Sequence, residues 1–437
     1  MLLETNGDLA RASFYEAGVE RPAACPPLAE SITADVCVIG GGYAGVSSAL
    51  ELAERGYSVV LLEARRIGWG ASGRNGGQAL VGFGSSAEQA IEVQLPIADA
   101  RRAWDISLEG VQLLRERIAT YAIDCDYVPG YLNLAVSARK AKALDKWVRH
   151  VACFYGYEMQ SISPGEMGNW IASRRFHSGV FDPHSGHLHP LKYCLGLAAA
   201  ARAAGVSVFE GSAVIALDRG ARPRVRTATG EVACQFVVLA GNVYLDQYGS
   251  DGKTIAPELA PRIMPVGTYL IATERMSRER ADVLIRHRAA VSDTNHVLDY
   301  FRPTADDRLL FGAGESYSAA TPRNLAERMR QRMLAVFPQL ADLSVPYVWG
   351  GFVDITMNRA PDFGRLGKNI YYLQGFSGHG VALTGMAGQL VAEVIAGQAE
   401  RFDLLARIRH HAFPGGACLR TPALVLGMLY YRLRDLL

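Results

Sequence analysis

Lysine is scarce in this chain of 437 residues, because only six of its 45 basic residues are lysine and the others are arginine. Neither sign of charge is in excess, since 43 acidic residues leave a formal net charge of +2 at pH 7. A nearly neutral chain offers no electrostatic attraction to a polyanion. We therefore predict that nucleic acid is not a partner.

Targeting and cross-linking signals are also missing. The first residues show no basic segment followed by an apolar one, and no apolar run reaches the roughly 18 residues that a transmembrane helix needs. The seven cysteines are odd in number, scattered and without a CxxC pair, which argues against a disulfide framework and a structural zinc site. We expect a reduced, cytoplasmic protein.

Glycine, by contrast, is abundant at 45 residues, and hydrophobic residues make up 49% of the chain. The composition is that of a globular protein, and length alone predicts about three domains at roughly 150 residues each. Because glycine is favoured where backbone closely approaches another group, the glycine-rich segments indicate where a binding site lies.

The clearest glycine motif lies between two apolar runs, 34–39 and 57–62, which are typical of buried parallel strands. Gly40, Gly42 and Gly45 form a G-x-G-x-x-G pattern directly after the first run, and a helical pattern follows. In a dinucleotide-binding unit these glycines permit the turn, admit the pyrophosphate and let the helix pack on the strand. The helix N-terminus presents free N–H groups to the phosphates.

The residues around this motif complete a nucleotide site. Tyr43 and Ala44 lie between the glycines, at the predicted phosphate position. Glu63 ends the second run at about the expected spacing of ~20 residues, where a carboxylate accepts hydrogen bonds from a ribose. Ala64 and Arg65 follow it and are predicted to belong to the same site. The carboxylate argues against NADP, but the motif alone leaves FAD and NAD as alternatives.

A second glycine-rich segment, GWGASGRNGGQ at 68–78, follows closely. Its glycines indicate either backbone that passes a bulky planar group or a flexible loop. Here the sequence resembles the D-amino-acid-oxidase-like superfamily of FAD oxidoreductases, which includes sarcosine, glycine and γ-glutamylputrescine oxidases. Segments 205–214, 238–242 and 375–381 fit the same resemblance in the expected order, so it spans about 34–400.

The resemblance implies FAD, bound without a covalent link, as the cofactor. Ser72 and Arg74 are expected to meet a phosphate or the ring, 75–78 to line the isoalloxazine, and N–H groups at the last helix to stabilise negative charge on the reduced flavin. The further cofactor contacts that it implies are Ser72, Arg74, Asn75, Gly76, Gly77, Gln78, Val214, Ala240, Gly241, Gly351, Gly375, Ser377, Gly378, His379, Gly380 and Val381.

The implied fold class is α/β (α+β), with a Rossmann-like FAD-binding domain interleaved with a substrate domain on a mixed or antiparallel sheet. The predicted ranges are an N-terminal arm at 1–33, the FAD-binding domain at 34–110, 190–250 and 346–400, the substrate domain at 111–189 and 251–345, and a helical tail at 401–437. The arm shows no clear period. We expect the tail to pack on its own domain, although its apolar spacing also fits a membrane surface.

Within the superfamily, the segments 264–274, 297–303 and 349–366 are most similar to the γ-glutamylputrescine oxidases. Related amino-acid oxidases carry an arginine for the substrate α-carboxylate soon after the strand that contains 349–351, and our alignment places Val353 there. This departure favours an amine whose carboxylate is distant or absent. A γ-glutamylated amine and a polyamine both remain open.

Three side chains are candidates for the substrate pocket, namely Tyr300, Arg302 and Glu315. The alternative for Tyr300 is ordinary packing in a sheet, and for the other two it is exposure to solvent. Three histidines within 184–189 could supply nitrogen ligands. The resemblance implies a turn leading into a helix there, and we predict no metal site.

The predicted activity is FAD-dependent oxidation of an amine, in the setting of polyamine catabolism. A C–H bond beside the substrate nitrogen delivers hydride to flavin N5, and the resulting imine is hydrolysed to an aldehyde. A pocket of low polarity lowers the pKa of the amine, so no protein base is named. Oxygen is preferred over another electron acceptor. An enzyme acting on α-amino or N-methyl amino acids and a non-catalytic flavoprotein stay open as alternatives, and the oligomeric state is not predicted.

Overall fold

The computed structural model describes residues 2–10, 13–245, 247–249, 255–295, 297–316, 322 and 324–414, with the side chains of 6, 85 and 314–316 left aside. The helices in these ranges are α1 (Leu2–Ala10), α2 (Phe14–Ala17), α3 (Tyr43–Glu54), α4 (Ser85–Gln94), α5 (Ile97–Thr120), α6 (Ala138–Tyr155), α7 (Pro190–Ala203), α8 (Arg278–Leu284), α9 (Leu325–Val336), α10 (Gly380–Ile395) and α11 (Glu400–Ala406). The strands are β1 (Ser31–Ile39), β2 (Val59–Leu62), β3 (Gln78–Ala79), β4 (Val128–Ala135), β5 (Gln160–Ile162), β6 (Ser178–His187), β7 (Ser207–Phe209), β8 (Ala216–Asp218), β9 (Arg224–Arg226), β10 (Glu231–Leu239), β11 (Met264–Ala272), β12 (Ala290–Asp293), β13 (Tyr300–Pro303), β14 (Leu309–Ser316), β15 (Tyr347–Ile355), β16 (Asp362–Arg365) and β17 (Ile370–Gln374).

The first sheet has the strand order β16-β17-β10-β1-β2-β7, with β8 and β9 paired beside β10. Its central strands run parallel, and only its edges are antiparallel among the described strands. The strand β2 is buried along its whole length because α3 packs on the sheet and α10 packs on α3. The order β1-α3-β2 is the strand–helix–strand unit that the sequence predicts.

The second sheet has the order β15-β11-β14-β13-β12-β4-β6-β3, with β5 beside β6. It is antiparallel except for the parallel pair of β4 and β12. One face packs on α9 through buried side chains that include Phe301, Phe311, Met333 and Phe337. The opposite face carries Tyr300 and is turned towards the glycine-rich segment 75–78.

The strands of the two sheets alternate along the chain. Both β3 and β15 pair within the second sheet, although they fall in ranges that the sequence analysis gives to the FAD-binding domain. The sheet to which each of these strands belongs depends on pairing with strands far away in the sequence, and no local sequence pattern indicates that pairing. The domain boundaries themselves stay a prediction. Of the predicted tail, 415–437 lies outside the described residues.

The N-terminal arm is less irregular than predicted, because α1 and α2 form within it. Phe14 and Tyr15 of α2 are buried, and their rings lie against Trp349 and His189. Helices of nine and four residues are too short to be stable alone, so tertiary packing stabilises them. That packing is the reason why the sequence pattern missed them.

Among the described helices, none is by itself long and apolar enough to cross a membrane. Among these helices, only α10 and α11 taken together have the length and apolar composition of a membrane span, and the pair is bent by 120°. Nearly all side chains of α10 are buried within the protein.

Candidate active site at the cleft between the sheets

A cleft opens where β1, β2 and β10 end at one edge of the first sheet, the place where parallel sheets of this kind hold ligands. The space within it is about 890 Å³ when the part open to solvent is included. The lining residues come from both glycine-rich segments, from the end of β2 and from the segments after β7 and β10. They are Ile39, Gly40, Gly41, Gly42, Tyr43, Ala44, Leu62, Glu63, Ala64, Trp69, Gly70, Ala71, Ser72, Ser212, Val214, Ala240, Gly241, Asn242, Tyr244, Leu245, Tyr248, Ile255, Leu373, Phe376 and Thr384.

The first glycine motif is held by close backbone contacts. Gly40 has a φ of +115°, and a Cβ atom there would lie 2.6 Å from the carbonyl oxygen of Ala240. A Cβ atom on Gly45 would lie 1.9 Å from the carbonyl oxygen of Gly40. The turn therefore excludes side chains at both positions, and α3 begins directly against the end of β1.

Glu63 stands at the end of β2 with both carboxylate oxygens held by backbone. The N–H of Gly41 donates to Oε2 at 2.6 Å, and the N–H of Arg65 donates to Oε1 at 2.8 Å. Burial raises the pKa of Glu63, while these two hydrogen bonds favour the charged form. The arrangement places a fixed acceptor on the wall of the cleft.

Ser72 connects the two glycine-rich segments. Its hydroxyl oxygen accepts the N–H of Tyr43 at 2.9 Å, so the side chain lies at the N-terminus of α3. A Cβ atom on Gly42 would lie 2.8 Å from that oxygen, and only glycine leaves room for it. The positive end of the α3 dipole faces the cleft beside this contact.

Arg74 is buried, at 5% exposure, beneath the second glycine-rich segment. Its guanidinium donates to the carbonyl oxygens of Gly350 and Trp69 and lies over the Trp69 ring. A Cβ atom on Gly351 would lie 2.5 Å from the Arg74 Cδ, so that glycine makes room for the side chain. Burial lowers the pKa of Arg74. The residue ties this loop to β15.

The loop 75–78 is fixed by its own side chains and by the N-terminal arm. The Asn75 amide donates to the carbonyl oxygen of Ala71 at 2.9 Å and accepts the N–H of Gly77 at 2.7 Å. The Tyr15 hydroxyl donates to the carbonyl oxygen of Asn75 at 2.9 Å. Gln78 donates to the carbonyl oxygen of Val291 at 3.0 Å and so joins the loop to β12.

Arg302 has its described donors directed at protein oxygens rather than at an open pocket. Its Nε donates to the carbonyl oxygen of Gly76 at 2.7 Å, and Nη2 donates to the carbonyl oxygen of Leu188 at 2.9 Å and the Tyr15 hydroxyl at 3.1 Å. The side chain is only 3% exposed, which corrects the alternative of solvent exposure. These contacts make it a residue that positions the loop 75–78.

Of the other two pocket candidates, Tyr300 does lie beside the loop. Its half-buried ring packs close to the backbone of Gly76 and of Gly312, where added Cβ atoms would lie 2.7 Å and 2.1 Å from the ring. The backbone of Glu315 pairs with Thr268 in the second sheet. The side chain of Glu315 lies outside the described residues.

The C-terminal glycine-rich loop is held by a carboxylate that the sequence analysis missed. The side chain of Asp354 in β15 accepts the N–H of Gly375. It is 3% exposed, and burial raises its pKa to about 6. Its only signal in the sequence is its place in the segment that resembles related oxidases.

His379 is the N-cap residue of α10 and follows this loop. Burial lowers its pKa to about 4, and its Nδ1 has no partner among the described residues. Its ring lies against the backbone of Gly84. An uncharged imidazole with a buried, unpaired nitrogen therefore stands at the start of α10.

The predicted cofactor residues divide into two groups. Those that line the cleft are Gly40, Gly42, Tyr43, Ala44, Glu63, Ala64, Ser72, Val214, Ala240 and Gly241. Those that do not line it are Gly45, Arg65, Arg74, Asn75, Gly76, Gly77, Gln78, Gly351, Gly375, Ser377, Gly378, His379, Gly380 and Val381. Lining residues that the sequence analysis did not name include the aromatic residues Trp69, Tyr244 and Tyr248.

The three histidines at 184–189 do not converge. The Nε2 of His187 lies 2.8 Å from the carbonyl oxygen of Arg288, and the Nδ1 of His189 accepts the N–H of Lys192 at 3.3 Å. Within the ranges that the structure describes, no three histidine, cysteine, aspartate or glutamate side chains are placed to hold a metal ion.

Known proteins match nearly the whole length of the chain. The chain is 44% identical to γ-glutamylputrescine oxidoreductase of Escherichia coli K12 over 97% of its own length and 98% of that protein. Among solved structures, glycine oxidase of Geobacillus kaustophilus superposes with a TM-score of 0.71 at 21% identity, covering 85% of this chain and 97% of that one. L-proline dehydrogenase of P. horikoshii superposes with a TM-score of 0.70 at 22% identity, covering 87% and 98%.

These structures confirm the predicted fold class, a Rossmann-like domain combined with a second sheet. The family model described as FAD dependent oxidoreductase matches residues 35–394, which confirms the resemblance drawn from the motifs. The chain therefore belongs to the FAD dependent oxidoreductase family.

Proposed function

We propose that FAD lies along the cleft, with its adenosine half at Glu63 and its pyrophosphate at the N-terminus of α3. The two backbone hydrogen bonds on Glu63 leave a fixed carboxylate for a ribose, and Gly42, Tyr43 and Ser72 line the cleft at the start of α3. The isoalloxazine would then lie beside the loop 75–78 and Tyr300. The unpaired Nδ1 of His379 supports the start of α10 as the other contact to the ring.

We further propose that the enzyme oxidises the C–N bond of an amine of the γ-glutamylputrescine or polyamine class. The carrying observation is the 44% identity to γ-glutamylputrescine oxidoreductase over nearly the full length of both chains. When bound, the flavin accepts a hydride from the carbon beside the nitrogen, and the imine product is hydrolysed to an aldehyde.

The charge around the loop 75–78 supports an amine without a nearby carboxylate. The two buried guanidinium groups there, Arg74 and Arg302, donate to main-chain oxygens. Val353, at the position aligned with the carboxylate-binding arginine of amino-acid oxidases, packs beside the apolar side chains of Val297 and Ile355. Residue 353 itself offers no cation to a substrate α-carboxylate, and a buried carboxylate without a partner costs several kcal/mol.

The electron acceptor, the attachment of FAD and the cellular setting are further parts of the proposal. We propose that oxygen reoxidises the flavin, that FAD is held without a covalent link, and that the enzyme works in polyamine catabolism in the cytoplasm. Release of free FAD from acid-denatured protein would support the non-covalent link, and flavin that stays with the precipitated chain would contradict it.

A panel of amines tests the proposal. The purified flavoprotein is mixed without oxygen with γ-glutamylputrescine, putrescine, glycine, sarcosine and proline, and the flavin absorbance is followed. We expect bleaching by one or both of the amines and not by the amino acids, and peroxide release once oxygen is admitted. Bleaching without peroxide makes the enzyme a dehydrogenase, and preferential bleaching by an amino acid overturns the amine proposal.

A further inference from the structure

A row of polar side chains crosses the second sheet next to Tyr300. In the strand register, Tyr300 of β13 stands opposite Ser292 of β12, and Ser292 stands opposite Asn133 of β4. Residues directly opposite each other project from the same face of a sheet. Tyr300, Ser292 and Asn133 therefore share the face that is turned towards the loop 75–78.

Two more side chains join this row. The Ser292 hydroxyl donates to the Gln78 side-chain oxygen at 3.1 Å, and Tyr131 lies two positions before Asn133 on the same face of β4. Gln78 belongs to the loop on which we place the isoalloxazine. The row is therefore connected by hydrogen bonds to the proposed flavin site.

The two faces of the sheet differ in burial at this row. The alternating residues on the opposite face, Leu132, Val291 and Phe301, have 0% exposure. On the polar face, Tyr131 and Asn133 are half-buried, as Tyr300 is. A half-buried polar row on an interior face indicates a space beside it, as a substrate pocket requires.

One atom of the row lacks a partner. The Oδ1 of Asn133 is buried and has no hydrogen-bond partner among the described residues. A buried acceptor left unpaired costs about 1–3 kcal/mol, so a donor from a ligand is favourable there.

We propose that Asn133 is a specificity-determining residue whose Oδ1 accepts an N–H of the second nitrogen of a diamine substrate, free or acylated. Two strand spacings, about 10 Å, separate Asn133 from Tyr300 across the sheet. That distance suits a reacting amine beside Tyr300 and a second nitrogen at the far end of a short diamine chain. The inference rests on the proposed function and adds to it the residue that recognises the second nitrogen.

The test compares N-acetyl-1,4-diaminobutane with 1-aminopentane, in which a methyl group takes the position of the second nitrogen. Asn133→Leu should lower kcat/KM for the acetylated diamine about three- to tenfold, the worth of one neutral hydrogen bond. It should leave 1-aminopentane within about twofold, because leucine keeps the branching and the number of heavy atoms of asparagine. Asn169→Leu makes the same change at an exposed position and should alter neither value.

Equal loss with both amines, at unchanged FAD content and melting temperature, or an unchanged ratio between them, overturns the assignment. A measurement of substrate binding separates this outcome from failure of the proposed function. If the wild type binds N-acetyl-1,4-diaminobutane, seen as a perturbed flavin spectrum, but is not reduced, the proposed function fails. Weaker binding in Asn133→Leu then still supports the subsite, and equal binding refutes it.

Discussion

At the scale of single residues, two carboxylates hold the loops of the cleft by accepting main-chain N–H groups. Glu63 accepts from Gly41 and Arg65, and Asp354 accepts from Gly375. Burial raises the pKa of each carboxyl, that of Asp354 from 3.8 to about 6. Burial opposes the charge that these hydrogen bonds favour, so the protonation of these residues affects stability.

Asp354 should leave a measurable mark on the pH dependence of stability. Because its pKa is raised in the folded state, the bound proton stabilises the fold below about pH 4, and this contribution is lost as the pH rises through about 6. Relative to Asp354→Asn, the wild-type free energy of unfolding should fall by up to about 3 kcal/mol over that interval. Urea denaturation at several pH values measures the difference.

The matched control for this prediction is Asp105→Asn, at an exposed carboxylate of α5. Its curve should run parallel to that of the wild type over the same interval. A wild-type curve that is also parallel to that of Asp354→Asn would show that the Asp354 carboxyl titrates in the folded state as it does in the unfolded chain.

Sequence reasoning finds those site residues whose spacing is local. Glu63 is predictable because it lies one βαβ unit beyond the glycine motif, and it does line the cleft. The role of Arg302 is not, because the oxygen of Gly76 that it contacts is 226 positions away. Asp354 has no local signal for the same reason, since the loop that it holds comes from the other sheet.

At the scale of elements, α3 must begin within van der Waals contact of the end of β1. The contact of Gly45 with the Gly40 carbonyl joins two backbone segments, neither of which can move as a side chain could. The unit β1-α3-β2 is predictable because all its parts are adjacent in sequence. The placing of β3 and β15 is not, since strands that pair across long separations leave no periodic pattern.

Gly45→Ala should therefore disrupt the motif. The added Cβ atom would lie 1.9 Å from the Gly40 carbonyl oxygen, so the helix must shift, and we expect a loss of about 1–3 kcal/mol in the free energy of unfolding. FAD content after purification should fall as well. The control is Gly165→Ala, where nothing lies within 4 Å of the new methyl group and no change is expected. Equal FAD content in both variants would contradict this account of the turn.

At the scale of the whole molecule, the loops beside the cleft are held by a segment that precedes the family match. That match begins at residue 35, whereas Tyr15 of the N-terminal arm contacts the loop 75–78 and Arg21 donates to the carbonyl oxygen of Ile67 at 2.8 Å. The arm also meets the first sheet, since the Leu28 N–H donates to Ser212 at 2.9 Å. The arm, the loop and Arg302 thus form one connected support for the proposed flavin site.

This connection predicts different effects for two similar tyrosine substitutions. Tyr15→Phe and Tyr57→Phe each remove one hydroxyl that donates to a main-chain carbonyl, that of Asn75 and that of Ile395. Each should cost about 1 kcal/mol of stability. Only Tyr15 touches the cofactor loop, so only Tyr15→Phe should weaken FAD binding, by about three- to tenfold in Kd measured by fluorescence titration of the apoprotein. The Tyr15 hydroxyl also accepts from Arg302. A variant substituted at both Tyr15 and Arg302 should therefore lose more FAD affinity than either single variant, but less than the sum of the two single losses. Equal FAD affinity in the two single variants would show that the arm supports the fold without positioning the flavin.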